Sequence, residues 1–179
     1  MKIYFVRHGK TEWNKLKKMQ GVADIPLNEE GIEQAYKTKE LISNIEFDCA
    51  ICSPLKRTKQ TLDIILEDRD IPAIYDERII ERNYGKFEGT TKNVDFDYNE
   101  FWNYTKNVKY EKAENIRDFF KRIYGFLDDL KTKKYEKVLI VSHGGVSRPL
   151  DCYFNGMMSD EKLATFIPDN AKVMEYELQ

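Results

Sequence analysis

Short apolar runs alternate with stretches of helical periodicity along most of the chain. The apolar runs predict β-strands at residues 2–6, 47–52, 73–75, 137–142 and 171–178. Strands that alternate with helical segments are typical of an α/β fold whose sheet is mainly parallel. We therefore expect a central sheet with helices packed against it.

Helical periodicity predicts four long helices between these strands. The first covers 28–45 after an Asn28 cap, and its apolar residues at helical spacing are Ile32, Ala35, Tyr36, Leu41 and Ile42. The second begins with Ser53 as N-cap and Pro54 in the first helical position, and its core face is Leu55, Leu62, Ile65 and Leu66. The fourth, after the third, follows the sequence SHGG and extends to about Phe154. The third itself covers 114–131, and its inward residues are Ile116, Phe119, Phe120, Ile123, Phe126, Leu127 and Leu130.

Residues 83–113 interrupt this alternation. They contain eight aromatic residues between Tyr84 and Tyr110, and we predict a helix near 95–106. Their position between a strand and a long helix indicates a cap over a site. The chain shows no linker or repeat, so we expect one domain over residues 1–179 that includes this cap. The aromatic residues could bind a ligand, although a helical aromatic stripe belongs more often to a core; they are Phe96, Tyr98, Phe101, Trp102 and Tyr104.

Charge and hydropathy narrow the classes of function. The chain has 29 Lys and Arg against 31 Asp and Glu, and this balance provides no electrostatic footprint for nucleic acid or an anionic membrane. The N-terminal apolar run stops at Arg7, which is too short for a signal peptide, and no stretch is long enough to span a membrane. We expect a cytoplasmic protein, and the sequence leaves its oligomeric state open. The lysine clusters at 15–18 and 131–134 are interpreted as solvated surface.

The cysteines are interpreted as buried structural residues. Cys49 and Cys52 form a CxxC, and Cys152 is the third cysteine. An odd number does not suggest a disulfide framework, and no second CxxC completes a zinc site. Cys49 and Cys52 also lie in a predicted strand, where residues three apart point to opposite faces.

Both histidines of the chain follow a predicted strand and precede a glycine. His8 comes before Gly9, and His143 comes before Gly144 and Gly145. Ligands of open parallel sheets bind outside the carboxyl ends of the strands, so both imidazoles should reach the same edge. Glycine at these positions permits a sharp turn and a close approach to a ligand.

Two arginines are expected at the same edge. Arg7 adjoins His8, and Arg57 lies in the first turn of the helix predicted to begin at Ser53. A helix N-terminus favours anions, and the planar guanidinium group matches phosphate oxygens. Two imidazoles and two guanidiniums at one edge predict a phosphate site.

These residues and the blocks around them resemble the histidine phosphatase superfamily, in its phosphoglycerate-mutase-like branch. The blocks cover residues 3 to about 173 in family order, with 90–135 poorly matched. The resemblance implies a three-layer sandwich in which helices flank a central mixed, mostly parallel sheet. The matching residues are Arg7-His8-Gly9, Thr11, Glu12, Asn14, Gln20-Gly21, Asp24, Pro26-Leu27, Gly31 and Ala35; Ser53-Pro54-Leu55, Arg57 and Thr61; Glu81, Tyr84-Gly85 and Glu88-Gly89; and Ser142-His143-Gly144-Gly145 with Asn170.

The resemblance also implies roles. His8 would attack phosphorus and become phosphohistidine, and Glu81 would protonate the leaving oxygen and then deprotonate the attacking water. No metal and no cofactor would be needed, since arginines and imidazole supply the positive charge, and the substrate would be a small-molecule phosphate ester. The phosphate and substrate would be held by His143, Arg7, Arg57, Asn14 and the Gly144 amide, with further binding positions at Gln20, Gly21, Tyr84 and Lys92.

A phosphomonoester phosphatase is favoured over cofactor-dependent, phosphoglycerate mutase-type phosphotransfer. The block 81–85 together with Lys92 looks more like the mutase version. However, residues 93–116 contain no arginine, whereas such mutases carry an arginine pair in a longer insertion. Lys10 and Val22 also replace the acidic residue and the tryptophan that are usual in the family.

Two alternatives lie outside phosphoryl transfer through histidine. A phospholigand-binding module would lack the nucleophile or the acid, yet both His8 and Glu81 are present. A metal hydrolase could use His8, His143 and Glu81 as ligands. Arginines beside these residues would, however, repel a cation.

Overall fold

The computed structural model describes residues 1–91 and 96–179 and contains a five-stranded mixed sheet. The sheet order is β3-β2-β4-β1-β5; β5 runs antiparallel to β1, and the other neighbours are parallel. The predicted mixed, mostly parallel sheet is confirmed. The strands are β1 (Lys2–Arg7), β2 (Cys49–Cys52), β3 (Ala73–Tyr75), β4 (Lys137–Ser142) and β5 (Val173–Glu177).

Helices cover both faces of the sheet. In the described part of the chain they are α1 (Glu12–Lys15), α2 (Glu29–Leu41), α3 (Lys56–Leu66), α4 (Tyr98–Phe101), α5 (Ile116–Lys131), α6 (Ser147–Asn155) and α7 (Asp160–Thr165). Helix α3 and Ile42, the residue that follows α2, contribute to the apolar core on one face, and α5 and α6 contribute to the core on the other. This arrangement gives the three layers expected. Within residues 1–91 and 96–179, no helix combines the length and apolar character needed to cross a bilayer.

Strand residues alternate between the two cores, as the period of two requires. Ile3 and Phe5 of β1 pack on the α5 side, whereas Tyr4 and Val6 pack on the α3 side. The cysteines of the CxxC follow the same rule, since Cys49 belongs to the first core and Cys52 to the second. All three cysteines are buried and free, in agreement with a structural interpretation.

The seven residues predicted to face inward on α5 are all buried, so that prediction is confirmed. The predicted face of α2 is wrong in part. Ile32, Tyr36 and Leu41 are 38%, 43% and 72% exposed. The buried side of α2 instead carries small residues, because this helix packs closely against neighbouring backbone; they are Gly31, Ala35 and Thr38. The helix also ends at Leu41 rather than at 45.

Helix α3 starts two residues later than predicted, and Ser53 does not cap it. The cap residue is Leu55, which makes no side-chain cap bond, so Pro54 lies outside the helix. The Ser53 hydroxyl instead contacts His143 Nε2 at 2.7 Å. Ser53 therefore contacts a histidine at the edge of the sheet, although its local sequence context indicates a helix cap.

The segment predicted as a helix near 95–106 forms only one helical turn, α4, and residue 95 lies outside the described residues. Long-range partners end the helix. The Phe101 carbonyl accepts from Arg82 Nη1, and the amides of Tyr104 and Thr105 donate to the Asp160 carboxylate. These contacts occupy backbone groups that a longer helix would have paired internally.

Two backbones touch where the chain leaves β1. A Cβ atom on Gly9 would lie 2.3 Å from Gly31 O, and one on Gly31 would lie 2.0 Å from Lys10 O. Because both neighbours are backbone, no side-chain adjustment could relieve such a clash. The loop after β1 is thereby held against the first turn of α2.

Two glycine-to-alanine substitutions should therefore have opposite effects on stability. Gly125 lies inside α5, and a methyl group added there would meet no heavy atom within 4 Å, so Gly125→Ala should raise the free energy of unfolding by ~0.5–1 kcal/mol. Gly31→Ala should lower it by ~1–3 kcal/mol because the methyl group overlaps Lys10 O. Urea denaturation of both variants and the parent measures the two changes. Equal stability of Gly31→Ala and the parent would show that the close contact is not rigid.

Candidate active site

The carboxyl edge of the sheet opens into a cavity of about 570 Å³. Strands β1 and β4 pair in parallel with Arg7 opposite Ser142, so the next residue on each strand is a histidine. The His8 and His143 rings lie 5.3 Å apart between centroids. The cavity is lined by Arg7, His8, Asn14, Lys17, Lys18, Met19, Gln20, Gly21, Arg57, Glu81, Tyr84, Tyr98, Asn99, Ala164, Thr165 and Ile167.

His8 is held in one tautomer by its own loop. Its Nδ1 lies 2.7 Å from Gly9 O, and a carbonyl oxygen can only accept, so Nδ1 carries the proton. Nε2 then keeps its lone pair. Burial, and then the charges of Arg57 and Arg7, hold the pKa of His8 well below its usual value. The result is a neutral imidazole with a free nitrogen lone pair.

His143 lies deeper than His8 and contacts Ser53. Its Nε2 is 2.7 Å from Ser53 Oγ, while its Nδ1 is buried without a hydrogen-bond partner. Burial first, and then Arg57 and His8, hold the pKa of His143 well below its usual value. Both imidazoles of the chain are therefore neutral near pH 7 in the absence of a bound anion.

Arg7 and Arg57 are anchored by backbone carbonyls. Arg7 Nη1 donates to Pro168 O at 2.6 Å, and Arg57 donates to Ala23 O at 2.7 Å and Gly21 O at 2.8 Å. Burial lowers the pKa of each guanidinium to about 10, so both remain charged at neutral pH. The Nε atom of each is buried and unpaired.

Three of the six buried side-chain polar atoms that lack a partner in the described residues belong to Arg7, Arg57 and His143. Buried polar groups in native proteins are normally satisfied, so such a concentration calls for an explanation. Arg7 and Arg57 line the cavity, whereas His143 does not line it and lies behind His8, with the two rings 5.3 Å apart. A bound oxyanion would supply acceptors for unpaired nitrogens at this place.

Glu81 is fixed by two backbone amides. Its Oε1 accepts from Arg82 N and its Oε2 from Gly145 N, both at 2.8 Å. A Cβ atom on Gly145 would lie 1.9 Å from Glu81 Oε1, so only glycine leaves room for this carboxylate. Gly145, which follows the His143-Gly144 pair, thus holds Glu81 at the cavity.

The remaining predicted binding positions differ in where they lie. Asn14, Gln20, Gly21 and Tyr84 line the cavity. Gly144 does not line it, and its carbonyl accepts from Ser147 Oγ and Arg148 Nη1. Lys92 lies outside the described residues. Among the aromatic residues of the 83–113 segment, Phe96, Phe101 and Trp102 are buried in the core, and Tyr98 reaches the cavity.

Several lining residues were not predicted from the sequence. Lys17 and Lys18 belong to the lysine cluster that we interpreted as solvated surface, yet both line the cavity. Thr165 and Ile167 come from the end of α7 and the residues after it, a helix without a recognisable pattern in the sequence. Ser53 contacts His143 although its context indicates a helix cap. The sequence did offer one indication that Lys17 and Lys18 line the cavity, because both follow shortly after the Arg7-His8-Gly9 turn.

The donor set does not favour a metal centre. Within the two ranges that the structure describes, no three His, Cys, Asp or Glu side chains are grouped closely enough to hold a metal ion. His8, His143 and Glu81 therefore do not form the ligand set of the metal-hydrolase alternative.

Comparison with known proteins finds similar chains that are named as phosphatases or as a phosphoglycerate mutase. The Bacillus subtilis (strain 168) protein named uncharacterized phosphatase PhoE is 36% identical over 154 residues, which cover 83% of this chain and 74% of that protein. The Yersinia pestis (strain Pestoides F) protein named probable phosphoglycerate mutase GpmB is 33% identical over 150 residues, which cover 80% of this chain and 70% of that protein. The structure of phosphoserine phosphatase from Entamoeba histolytica in complex with 3-phosphoglyceric acid matches with a TM-score of 0.82 and 28% identity, covering 97% of this chain and 89% of that one.

The family itself is identified by a match along nearly the whole chain. The sequence pattern described as histidine phosphatase superfamily (branch 1) matches residues 3–179. This range includes both histidines, the two arginines and Glu81. The chain therefore belongs to branch 1 of the histidine phosphatase superfamily.

Proposed function

We propose that this chain is a metal-independent phosphomonoester phosphatase that acts through a phosphohistidine on His8. The observation that carries the proposal is the neutral His8 imidazole, whose Nδ1 is tied to Gly9 O while Nε2 retains its lone pair. A nucleophile in this state needs no separate base to activate it. The phosphatase names of relatives such as PhoE support the same class of reaction.

In the first step, His8 Nε2 attacks phosphorus while the bond from phosphorus to the ester oxygen breaks. Arg7, Arg57 and His143 hold the phosphoryl oxygens, and their unpaired nitrogens become satisfied. Glu81, in its protonated form, gives its proton to the departing oxygen. The products are an alcohol, phosphohistidine at position 8 and a Glu81 carboxylate.

In the second step, water attacks phosphohistidine from the side that the alcohol has left. Glu81 accepts a proton from this water, and the bond between phosphorus and His8 Nε2 breaks. The products are inorganic phosphate, neutral His8 and protonated Glu81, so the enzyme returns to its starting state. Positioning and stabilisation of charge on the transferred oxygens account for most of the catalysis expected of such a site.

We also propose that residues 83–113 act as a cap on one domain that spans the chain. Tyr84, Tyr98 and Asn99 of this segment line the cavity that holds His8. The buried guanidinium of Arg82 supports the cap from below, since it donates to Phe101 O and Glu114 O. The leaving group of the substrate would contact this segment.

Phosphoglycerate mutase-type transfer is the second candidate, favoured by the likeness to the protein named GpmB. An assay of several phosphomonoesters in the presence of a chelator distinguishes the phosphatase from the mutase. The panel includes 3-phosphoglycerate together with bisphosphoglycerate, the cofactor that such a mutase would need. We expect release of free phosphate. Isomerised phosphoglycerate without phosphate release would instead establish the mutase.

A covalent intermediate on His8 provides the direct test. Brief exposure to a ³²P-labelled phosphomonoester should place on the protein a label that is labile in acid and stable in base. His8→Ala should lose the label and lower kcat by ~10³-fold or more, because no other nucleophile is in place. His143→Ala is the matched comparison and should still take up label, more slowly. A label that persists in His8→Ala would refute the assignment of the nucleophile.

Glu81→Gln should discriminate between leaving groups. Alkyl phosphates need a proton on the departing oxygen, so their kcat/KM should fall by ~10²–10⁴-fold. p-Nitrophenyl phosphate has a good leaving group and should be much less affected. Glu77→Gln, which changes an exposed carboxylate away from the cavity, serves as the control. An equal loss for both substrates would remove the role of Glu81 as a general acid.

The two imidazoles should stay neutral where ordinary histidines are protonated. Since the chain contains two histidines, NMR of the imidazole Hε1 protons should give two resonances, which His143→Gln would assign. Both should show the neutral form at about pH 6, where an imidazole of ordinary pKa near 6.5 is mostly charged. As pH falls below about 6.5 the unfolded chain binds protons that the folded chain does not, so the free energy of unfolding should decrease. Two resonances titrating near 6.5 would contradict the burial of these groups.

A further inference from the structure

The cavity carries more positive charge than a phosphate group can neutralise. Four cationic side chains line it, those of Arg7, Lys17, Lys18 and Arg57, against one carboxyl group, Glu81. Glu81 is protonated when the substrate binds in the proposed mechanism, so a phosphate dianion offsets two of the four positive charges. The bound substrate would therefore leave positive charge unbalanced in a partly enclosed site, and a further anionic group would be attracted there.

Lys17 and Lys18 are the lining cations that no carboxylate balances. In the part of the chain that the structure describes, neither makes an ion pair, whereas Lys10 lies 2.8 Å from Glu30. The Lys18 ammonium is 5.7 Å from the centre of the Trp13 ring, a contact that leaves its charge uncompensated. Both ammonium groups are thus available to a ligand.

The segment that carries these lysines is fixed to the phosphate end of the cavity. Lys17 has a left-handed backbone with φ 54°, a conformation that favours glycine, directly after the end of α1. Met19 N donates to Thr90 O at 2.9 Å, and Met19 O accepts from Gly89 N at 2.8 Å. Two residues further, Gly21 O accepts from Arg57 Nη2. The lysine pair therefore has a set position relative to the guanidinium that would hold the phosphate.

We propose that Lys17 and Lys18 bind a carboxylate on the leaving group, so that the substrates are small phosphomonoesters bearing a carboxylate near the ester oxygen. This inference rests on the proposed phosphatase function. An ammonium group is a compact point charge with three donors, so the two lysines could each contact one oxygen of a carboxylate. The cavity volume of about 570 Å³ leaves room for such a leaving group beside the phosphate.

A matched pair of substrates tests the assignment. 3-Phosphoglycerate and glycerol 3-phosphate share the phosphorylated carbon and its neighbouring hydroxyl, and they differ in a carboxylate against a hydroxymethyl group. The parent protein should prefer 3-phosphoglycerate in kcat/KM, and the preference should shrink as salt is added. Lys17→Gln and Lys18→Gln should each reduce the preference by ~5–20-fold, through KM rather than kcat, since the interaction is the same in ground and transition states.

Lys15→Gln is the matched control, because Lys15 is exposed at the end of α1, close to the lysine pair, and does not line the cavity. It should leave both substrates unchanged. If the Lys17 and Lys18 variants lose the same activity with both substrates, the inference is overturned. A parent protein that shows no preference between the two substrates would also overturn it, although its release of phosphate would still support the phosphatase.

Binding to His8→Ala separates the inference from catalysis. Calorimetry with this variant should show tighter binding of 3-phosphoglycerate than of glycerol 3-phosphate, and adding Lys17→Gln or Lys18→Gln should remove the difference. Equal binding of the two compounds would refute the carboxylate subsite. If no phosphomonoester is hydrolysed but the binding difference is present, the phosphatase proposal fails and the subsite stands.

Discussion

Parallel pairing of β1 with β4 is the constraint on which the rest of the site depends. The register places Arg7 opposite Ser142, so the chain delivers one imidazole from each strand to the same edge, 5.3 Å apart. Hydrogen bonding then fixes the loop, since His8 N donates to Ser142 O and Gly9 N donates to Thr61 Oγ1. A shift of either strand by one residue would turn its histidine to the other face of the sheet.

The buried arginines fall into two pairs that differ in how their guanidinium nitrogens are hydrogen-bonded. Arg82 and Arg148 are as deeply buried as Arg57, but the Nε atom of each donates to a carbonyl, Glu114 O for one and Leu163 O for the other. Both guanidiniums also lie over the Trp102 ring. In Arg7 one terminal nitrogen donates to a carbonyl, and in Arg57 both do, while the Nε atom of each has no acceptor. The unpaired Nε atom, rather than burial or charge alone, distinguishes the two arginines that we propose bind an anion from the two that support the core.

Elements with strong local patterns could be predicted from the sequence, and those defined by distant partners could not. The five strands and the inward face of α5 follow from periodicity, and the histidines follow from their position after two strands. Periodicity misjudged α2, because its tight contacts favour Gly31 and Ala35 over larger apolar residues. It also misjudged 95–106, where Arg82 and Asp160 take the backbone groups that would extend α4. Lys17 and Lys18 escaped notice for a similar reason, since a lysine cluster gives no local sign of the cavity beside it.

Burying two neutral imidazoles and two unpaired guanidinium nitrogens costs the empty protein stability that a bound oxyanion would restore. The mechanism that we propose requires this cost, because groups already paired with carboxylates could not bind a phosphate. Glu81 fits the same logic: backbone amides of Arg82 and Gly145 fix it, so no arginine is neutralised to hold it in place. The scaffold therefore positions these side chains through backbone carbonyls and amides and leaves their charges without an ion-pair partner among the described residues. On this principle the unpaired Lys17 and Lys18 belong with the site rather than with the solvated surface.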